Sequence, residues 1–269
     1  MIMFCTEFIY DGISSREYDL SICSFDDNKN GSSTAGSHIE YTTFKAPNSN
    51  AWIKTGSSYN EQLTFTFQVC KYHCPSAEHA FITERELAFI MRWLVRKNYK
   101  YLSFIQKGYE DIYYYCQLNV EKYEVAGQCA GLVITAVCDA PFGWSELRST
   151  AISSPSTKIV YLYDGSDEIG IVYPSVTITS KAAQNIGIRN DTIGTSMAIK
   201  NCVAGEQINI ENMQITSSEY SGRHKTLYKD FNWKWLPLGN TFTDRKNCII
   251  VNGNCEIEMS WRVPRKAVI

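Results

Sequence analysis

The fold class is indicated most clearly by the segment KNCIIVNGNCEIEMSWR, residues 246–262 of this 269-residue chain. Apolar side chains occupy every second position from Cys255 to Val263 and polar ones lie between them, which is the two-residue period of a half-buried β-strand. A second apolar run covers Asn247 to Val251. Between the runs stands Asn252-Gly253, a dipeptide typical of the type I′ turn of a hairpin. We therefore predict two strands joined as a β-hairpin.

The same two-residue period continues through the second half of the chain, as in residues 176–178 and 208–210. Turn-forming residues recur about every ten positions, which is typical of a β-sandwich. The segment STAISSPST, residues 149–157, is short and polar and is predicted to be a solvated linker. The sequence therefore predicts an N-terminal domain over 1–148 and a C-terminal domain over 158–269.

The first half combines strands with one predicted helix. Thr83 and Glu86 fit a capping box, Ile82 and Leu87 fit a hydrophobic staple, and apolar residues then recur at helical spacing as far as Val95. This pattern predicts an α-helix near 83–97. Strand patterns lie on both sides of it, at residues 62–69, 101–106, 112–121 and 132–138. We predict a mainly β protein, with an antiparallel β-sandwich or barrel-like N-terminal domain that carries one α-helix and a β-sandwich as the C-terminal domain.

The composition argues against several function classes. The 26 basic and 28 acidic side chains are well mixed and give a net charge of −2, whereas a dedicated nucleic-acid-binding protein carries a clustered basic excess. No Lys/Arg-rich run favours a membrane surface, and no apolar run approaches the roughly 20 residues that span a bilayer. The opening residues MIMFCTE lack a basic region and a long apolar stretch, so we expect no secretory signal and synthesis in a cytoplasm.

Ten cysteines are spread along the chain, and several lie within apolar strand patterns. Without an export signal they are interpreted as reduced, mostly buried thiols and not as a disulfide framework. Cys70, His73, Cys74 and His79 form a compact group of possible zinc ligands. Their spacing matches no established zinc motif, so an accidental grouping is favoured and no metal is predicted.

Catalytic signatures are not found. There is no Gly-x-Ser-x-Gly elbow and no glycine-rich phosphate loop. The polar surroundings of His38 and His224 predict solvated histidines. Acidic pairs occur at 26–27 and at Glu256 and Glu258, but solvated positions are favoured over the desolvated pair that glycoside hydrolysis requires. We therefore predict no catalytic residue, no cofactor and no enzymatic activity.

One aromatic group leaves two interpretations open. Phe231, Trp233 and Trp235 alternate on a predicted strand. Such a row could form a sugar-stacking platform, but large aromatic side chains are mostly buried, so a position in the sandwich core or in an interface is favoured.

An ordered set of short motifs resembles the distal tail proteins of siphophages. In the first half these are FIYDGISS (residues 8–15) followed by YDL (18–20), a helix with Glu86 to Leu94 followed by the tyrosines 113–115, and DAPFG (139–143). In the second half they are NDT (190–192), IKN (199–201), GEQINI (205–210), LPLGNTF (236–242) and CEIEMSWR (255–262). The resemblance covers nearly the whole chain and is poorest over residues 24–60.

The resemblance implies a structural virion protein at the tail tip, with no catalytic residues. Its N-terminal domain would build a hexameric ring, and its C-terminal β-sandwich would be galectin-like and face outward. The ring would join the tail tube protein to a tail-associated lysin or spike protein and carry receptor-binding or baseplate proteins. The polar arm at 24–60 would become ordered on assembly. Two alternatives are a carbohydrate-binding module or adhesin for host cell-wall glycans, and a polysaccharide depolymerase.

Overall fold

The computed structural model describes residues 6–25, 37–72, 80–241, 243 and 245–266. Strands dominate, and the described part contains two α-helices, of which only one is longer than a single turn. The predicted mainly β fold class is therefore confirmed. The chain divides into two compact units, residues 1–145 with 265–269, and residues 146–264.

The N-terminal unit is built from ten strands, one α-helix and one 3-10 helix within its described residues. In chain order they are β1 (Phe8–Tyr10), β2 (Ile13–Ser14), the 3-10 helix (Ser15–Tyr18), β3 (Leu20–Cys23), β4 (Ile39–Phe44), β5 (Ile53–Tyr59), β6 (Thr64–Lys71), α1 (Glu84–Leu94), β7 (Lys100–Phe104), β8 (Tyr114–Val125), β9 (Gln128–Cys138) and β10 (Gly143–Trp144).

Seven of these strands form one antiparallel sheet in the order β2-β1-β7-β8-β9-β6-β3. Its two ends approach each other, because the backbone N–H of Ile22 in β3 donates to the carbonyl of Thr6, just before β1, at 3.1 Å. Rings from strands far apart in the sheet order also meet, since the centroids of Phe8 and Phe67 are 5.3 Å apart. The sheet is therefore curled around an aromatic core in the barrel-like form that was expected.

Helix α1 begins where the capping box predicts it. Thr83 Oγ1 accepts the backbone N–H of Glu86 at 3.3 Å, and the Glu86 carboxylate accepts the backbone N–H of Thr83 at 2.8 Å. The helix ends at Leu94, three residues before the predicted end, and Val95 turns into an extended conformation. Leu94 is the last buried residue of the apolar stripe, and the polar residues 96–98 have no core against which to pack.

Trp93 fixes α1 to the curled sheet. Its indole stacks on Tyr18 with ring centroids 4.6 Å apart and on Phe8 at 5.6 Å, with interplanar angles of 5° and 9°. Its Nε1–H donates to the carbonyl of Tyr10 at 2.9 Å. Aromatic packing and a satisfied buried donor thus hold the helix to β1.

The C-terminal unit contains most of the remaining elements. In chain order they are β11 (Arg148–Ser154), β12 (Thr157–Tyr163), β13 (Gly170–Val172), β14 (Ser175–Ser180), β15 (Gln184–Asn190), β16 (Thr195–Cys202), β17 (Gln207–Glu211), β18 (Gln214–Ser217), α2 (Leu227–Asp230), β19 (Leu238–Asn240), β20 (Lys246–Asn252) and β21 (Cys255–Trp261). A last short strand, β22, covers Pro264–Arg265.

Two antiparallel sheets enclose the core of this unit. One has the order β11-β21-β14-β17-β18 and the other β12-β20-β15-β16. Ile178 and Ile257 of the first sheet belong to the same buried cluster as Ile188 and Val251 of the second. The unit is therefore a β-sandwich, as predicted. Its likeness to galectins stays a prediction.

The predicted hairpin around Asn252-Gly253 is wrong, although both of its strands exist. Strand β20 pairs with β12 and β15, whereas β21 pairs with β11 and β14, so the two belong to different sheets. Gly253 has a φ of +129°, and its N–H donates to the carbonyl of Ser156. Because both strands turn an apolar face to the same core, the chain crosses the sandwich at this point and does not fold back beside itself.

The segment 149–157, expected to be a solvated linker, is mostly strand. Strand β11 pairs with β21 in continuous register from Arg148 with Trp261 to Ser154 with Cys255, and β12 begins at Thr157. Ile152 is buried in the core, and the small, exposed side chains of Ala151 and Ser153 lie on either side of it. The polar composition of this segment was interpreted as that of a linker, but the same composition suits a strand with one face in solvent. The independence of the two domains stays a prediction.

Candidate interaction surfaces

Strands β4 and β5 form a separate two-stranded hairpin, which we call the arm hairpin. Most of its residues are exposed, including Tyr41 at 57% and Trp52, between the strands, at 65%. Lys54 lies over the ring of Tyr41 at 4.5 Å, and Lys45 lies over Trp52 at 5.9 Å. Part of the predicted arm is thus a hairpin that exposes aromatic and cationic groups; residues 26–36 lie outside the described part.

The base of the arm hairpin is tied to the N-terminal unit. Tyr59, at the end of β5, makes an edge contact with Phe142 at 6.4 Å between ring centroids. Before β4, Ser37 Oγ donates to the carbonyl of Pro141 at 2.8 Å. The anchored base and the exposed strands together make an extension that projects its aromatic groups into solvent.

A second aromatic surface, the tyrosine face, lies on the outside of the curled sheet and consists of Tyr99, Tyr101, Tyr113 and Tyr115. Tyr101 lies 4.7 Å from Tyr115 and 6.4 Å from Tyr113 between centroids, and Tyr99 lies 5.6 Å from Tyr115. Tyr114, between two members of the face, points inward and is buried. The alternation along β8 therefore separates a core tyrosine from surface tyrosines.

The three aromatic residues singled out in the sequence have different environments. Phe231 is buried in the sandwich core and Trp235 is half-buried against it, as favoured. Trp233 is 55% exposed. The predicted strand is wrong, because helix α2 precedes Phe231 and no strand follows it until β19. Trp233 has a φ of +54°, which is incompatible with an extended strand and reverses the alternation expected for its side chain.

Trp233 and Trp235 belong to a continuous row with two tyrosines, which we call the aromatic ridge: Tyr220, Tyr228, Trp233 and Trp235. Tyr220 lies 4.9 Å from Tyr228, which stacks near Trp233 at 6.2 Å and 21°, and Trp233 meets Trp235 edge-on at 6.2 Å. The two tyrosines were missed in the sequence because they lie on a loop and on the short α2, where no strand period marks them.

A buried polar network supports the chain segment that carries the aromatic ridge. Glu206 is fully buried and accepts hydrogen bonds from Ser217 Oγ at 2.5 Å and from the backbone N–H of Val203 at 2.9 Å. His224 Nδ1 lies 2.7 Å from Glu206 Oε1, and His224 Nε2 lies 3.4 Å from Asp230 Oδ2. His224 is only 1% exposed, so the prediction of a solvated histidine is wrong. The residues next to His224 in the sequence are polar, and they do not indicate that the fold places Glu206 and Asp230 against its ring.

The same carboxylates connect α2 to the sandwich. The hydrogen bond from Thr226, with smaller contributions from Asn201 and His224, lowers the pKa of Asp230. Asn201 Nδ2 donates to Asp230 Oδ1 at 2.9 Å from the end of β16. The network therefore holds the loop in one conformation.

A cleft of about 330 Å³ opens beside Trp235. Val176, Met197 and Ile210 form its apolar floor. Its rim is formed by Tyr173, before β14, and by the turn from Glu211 to Met213 between β17 and β18. The cleft thus combines aromatic and apolar walls with a carboxylate and an amide at its edge.

The predicted chemical candidates are dispersed. Cys70 lies on β6, while His73, Cys74 and His79 lie outside the described residues. Elsewhere in the described part, no group of three or more His, Cys, Asp and Glu side chains is placed to hold a metal ion. His38, Glu256 and Glu258 are exposed, the acidic pair on the polar face of β21, and Glu256 pairs with Lys181 at 2.8 Å. Residues 26–27 lie outside the described residues.

Eight cysteines lie in the described part, and all eight are free thiols, five of them buried. The hydrogen bond from Cys23 lowers the pKa of Cys70 to about 7, and that bond together with burial raises the pKa of Cys23. Within the described residues, no helix has the length and apolar character that crossing a membrane would need.

The comparisons with known proteins agree with this architecture. Residues 3–140 match the family model described as phage tail protein N-terminal domain, and residues 142–261 match the model described as phage tail C-terminal domain. No curated protein matches. Among solved structures, the chain is similar to the crystal structure of Dit (gp 19.1) of phage SPP1, described as a hub adsorption apparatus in phages that infect Gram-positive bacteria. The TM-score is 0.61 at 10% identity, over 95% of this chain and 98% of that one. The two family matches together span nearly the whole chain, so it belongs to the family of phage tail proteins and has the fold of a siphophage distal tail protein.

Proposed function

We propose that this tail structural protein is a ring-forming hub at the distal end of the phage tail. Six copies form a ring that joins the tail tube protein above to a tail-associated lysin or spike protein below. Receptor-binding or baseplate proteins dock on the ring. The family match and the fold of the SPP1 hub protein support this assignment.

The arm hairpin is the single observation that carries the proposal. An isolated two-stranded hairpin is at best marginally stable in water, and this one exposes large apolar groups from both strands. Tyr41, Phe44, Trp52 and Ile53 are all more than half exposed. Exposed groups of this size are typical of surfaces that another protein covers. A neighbouring copy of the same chain supplies the missing burial.

Ring closure requires two different surfaces on each copy, because a head-to-tail contact repeats around an axis until the rotation closes. The arm hairpin and the tyrosine face are two such surfaces on the N-terminal unit. In the proposed ring, the arm of one copy lies on the tyrosine face of the next. Tyrosines suit this role, since they offer a large, rigid contact area with a polar end.

Light scattering and negative-stain microscopy of the purified chain test the proposal. We expect a mass of six copies and a ring with a central hole. The double variant Phe44→Ser/Trp52→Ser, which leaves the core untouched, should give single copies. Its matched control is Tyr163→Ser, an equally exposed aromatic side chain on β12, which should leave the ring intact. A chain that stays single at high concentration, or a double variant that still forms rings, would refute the proposal.

The place in the virion has its own test. Antibodies against this chain should label the distal end of the tail in electron micrographs. We expect the purified ring to bind the tail tube protein and the spike protein, and the Phe44→Ser/Trp52→Ser variant to lose this binding with the ring. Labelling along the tube or on the capsid would contradict the assignment.

We expect neither an enzymatic activity nor a cofactor. Glu256 and Glu258 lie exposed on the polar face of β21, whereas a catalytic carboxyl pair needs a desolvated member. The buried carboxylate of Glu206 is already engaged by a hydroxyl, an imidazole and a backbone N–H. A turnover assay on host cell-wall polymer should therefore give no product, and a product would contradict this expectation.

A further inference from the structure

We propose that the C-terminal unit binds a neutral saccharide in the cleft beside Trp235, with the aromatic ridge continuing the site outward through Trp233. The proposal concerns surfaces that the ring proposed above does not use.

One bulky residue at the site is held in a strained backbone conformation. Trp233 has a φ of +54°, in the left-handed region that costs an L-residue roughly 1–2 kcal/mol. It gains little burial in return, since its side chain is 55% exposed. Such strain persists where the surroundings fix it, and it is concentrated at ligand-binding positions.

The surroundings of Trp233 do fix it. Asn232 Oδ1 accepts the backbone N–H groups of Ala198 at 3.1 Å and of Lys234 at 3.2 Å. Asn232 Nδ2 donates to the carbonyl of Ser196 at 2.9 Å. The indole Nε1–H donates to the carbonyl of Tyr228 at 3.0 Å, which sets the plane of the ring. The turn therefore presents a rigid, oriented indole face to solvent.

The cleft supplies the polar half of the site. Its volume of about 330 Å³ lies at the small end of the range for ligand pockets, which suits one or two sugar rings. Glu211 and Asn212 stand at the rim, and their side chains make no hydrogen bond within the described part of the chain. A free carboxylate and a free amide there can accept from, and donate to, ligand hydroxyls.

A pyranose ring matches this combination of groups. Its axial C–H groups form an apolar face that packs on indole and phenol rings, and its equatorial hydroxyls bond to carboxylates and amides at the ring edge. Trp235 and Tyr173 offer faces at the cleft, and Trp233 and Tyr228 offer further faces along the ridge. The length of the ridge favours an oligosaccharide over a single sugar.

The test uses the full-length chain and an array of neutral oligosaccharides that includes chitotetraose, cellotetraose and maltotetraose. Hits are titrated by the quenching of tryptophan fluorescence. We expect at least one oligosaccharide to bind, and Trp233→Ala to weaken its binding about tenfold or more, as the loss of an aromatic hot-spot contact does. Glu211→Gln should weaken it less, and Tyr163→Ala, an exposed aromatic change away from the cleft, should leave it unchanged.

Trp233→Gly separates binding from a structural role. Glycine adopts a positive φ without cost, so this variant should melt at or above the temperature of the wild type while it loses saccharide binding. A blank array, or binding that survives Trp233→Ala and Trp233→Gly, would overturn the proposal. If the array is blank and these variants also change the oligomer mass, the proposal is overturned and the ridge is assigned to a contact between copies. The ring assay on the arm hairpin is read independently, so either proposal can fail alone.

Discussion

The replacement of Trp93 by phenylalanine should loosen the N-terminal unit by a calculable amount. Trp93 is 1% exposed, and its Nε1–H donates to the carbonyl of Tyr10 at 2.9 Å. The change removes this bond, which contributes about 1 kcal/mol. It also removes two buried ring carbons, each of which contributes about 0.8 kcal/mol. The free energy of unfolding of this unit should therefore fall by about 2.5 kcal/mol, and Trp93→Ala should lower it by about 3–5 kcal/mol.

Amide hydrogen exchange of the full-length chain, followed by peptide mass spectrometry, measures this effect unit by unit. Protection should fall in peptides that contain β1, β7 and α1, while peptides from the C-terminal unit serve as an internal reference. Trp233→Phe is the matched control, because it makes the same chemical change at an exposed site. We expect it to alter protection in the N-terminal unit by less than about 0.5 kcal/mol.

Two results would refute this reasoning. If Trp93→Phe leaves the protection of β1 within about 0.5 kcal/mol of the wild type, the stacked indole does not hold the helix to the sheet. If peptides of both units lose protection equally, the two units unfold as one. The calculation for a local change would then not apply.

Three further predictions concern carboxyl groups. Glu206→Leu removes the carboxylate that bonds to His224 Nδ1, Ser217 Oγ and the backbone N–H of Val203. This change should lower the free energy of unfolding of the C-terminal unit by about 3–5 kcal/mol in urea titrations. Partial burial raises the pKa of Glu86, but hydrogen bonds from Lys71 and from the backbone and side chain of Thr83 lower it by more, so the net shift is downward. Glu86→Gln should therefore cost about 0.5–1 kcal/mol at pH 7, and the difference should vanish as the pH falls through the depressed pKa. Burial raises the pKa of Asp139, so its ionisation reduces stability as the pH rises through that pKa. Asp139→Asn keeps an acceptor for the indole N–H of Trp144 and should be as stable as the wild type, or more stable, at pH 7.

Each of these predictions has a contrary outcome that titration can detect. A Glu206→Leu variant as stable as Glu206→Gln would show that the network does not need a carboxylate. A Glu86→Gln deficit that persists well below the ordinary carboxyl pKa would assign the loss to packing. An Asp139→Asn variant that is less stable than the wild type at pH 7, with a deficit that shrinks towards pH 3, would show that the Asp139 carboxylate stabilises the fold and would contradict the prediction.

The elements that could be predicted from the sequence are those whose signal is local. The capping box at Thr83 fixes the start of α1, and the alternation from Cys255 to Val263 fixes strand β21, because both patterns report which side chains face a core. The pairing of strands is not local. Asn252-Gly253 was assigned to a hairpin because nothing in its own residues shows that the strands on either side belong to opposite sheets.

The candidate sites were harder to predict than the helix and the strands, because contacts between residues far apart in the sequence form them. His224 lies in a polar stretch, and only the fold brings Glu206 and Asp230 against it. Trp233 fits a strand period with Phe231 and Trp235, and only its positive φ turns it outward. The aromatic composition indicated that such surfaces exist but could not show which rings are exposed.

The pairing of β11 with β21 sets the order of events during protein synthesis. These strands are separated by more than 90 residues, and Arg148 meets Trp261 only after both have left the ribosome. The curled N-terminal sheet, by contrast, joins strands that all precede residue 140 and can form while the remainder is still being translated. The nascent chain therefore displays its arm hairpin before the sandwich is closed. If copies join through the arm hairpin as proposed, neighbouring polypeptides on one messenger can associate through their first units before translation of the second is complete.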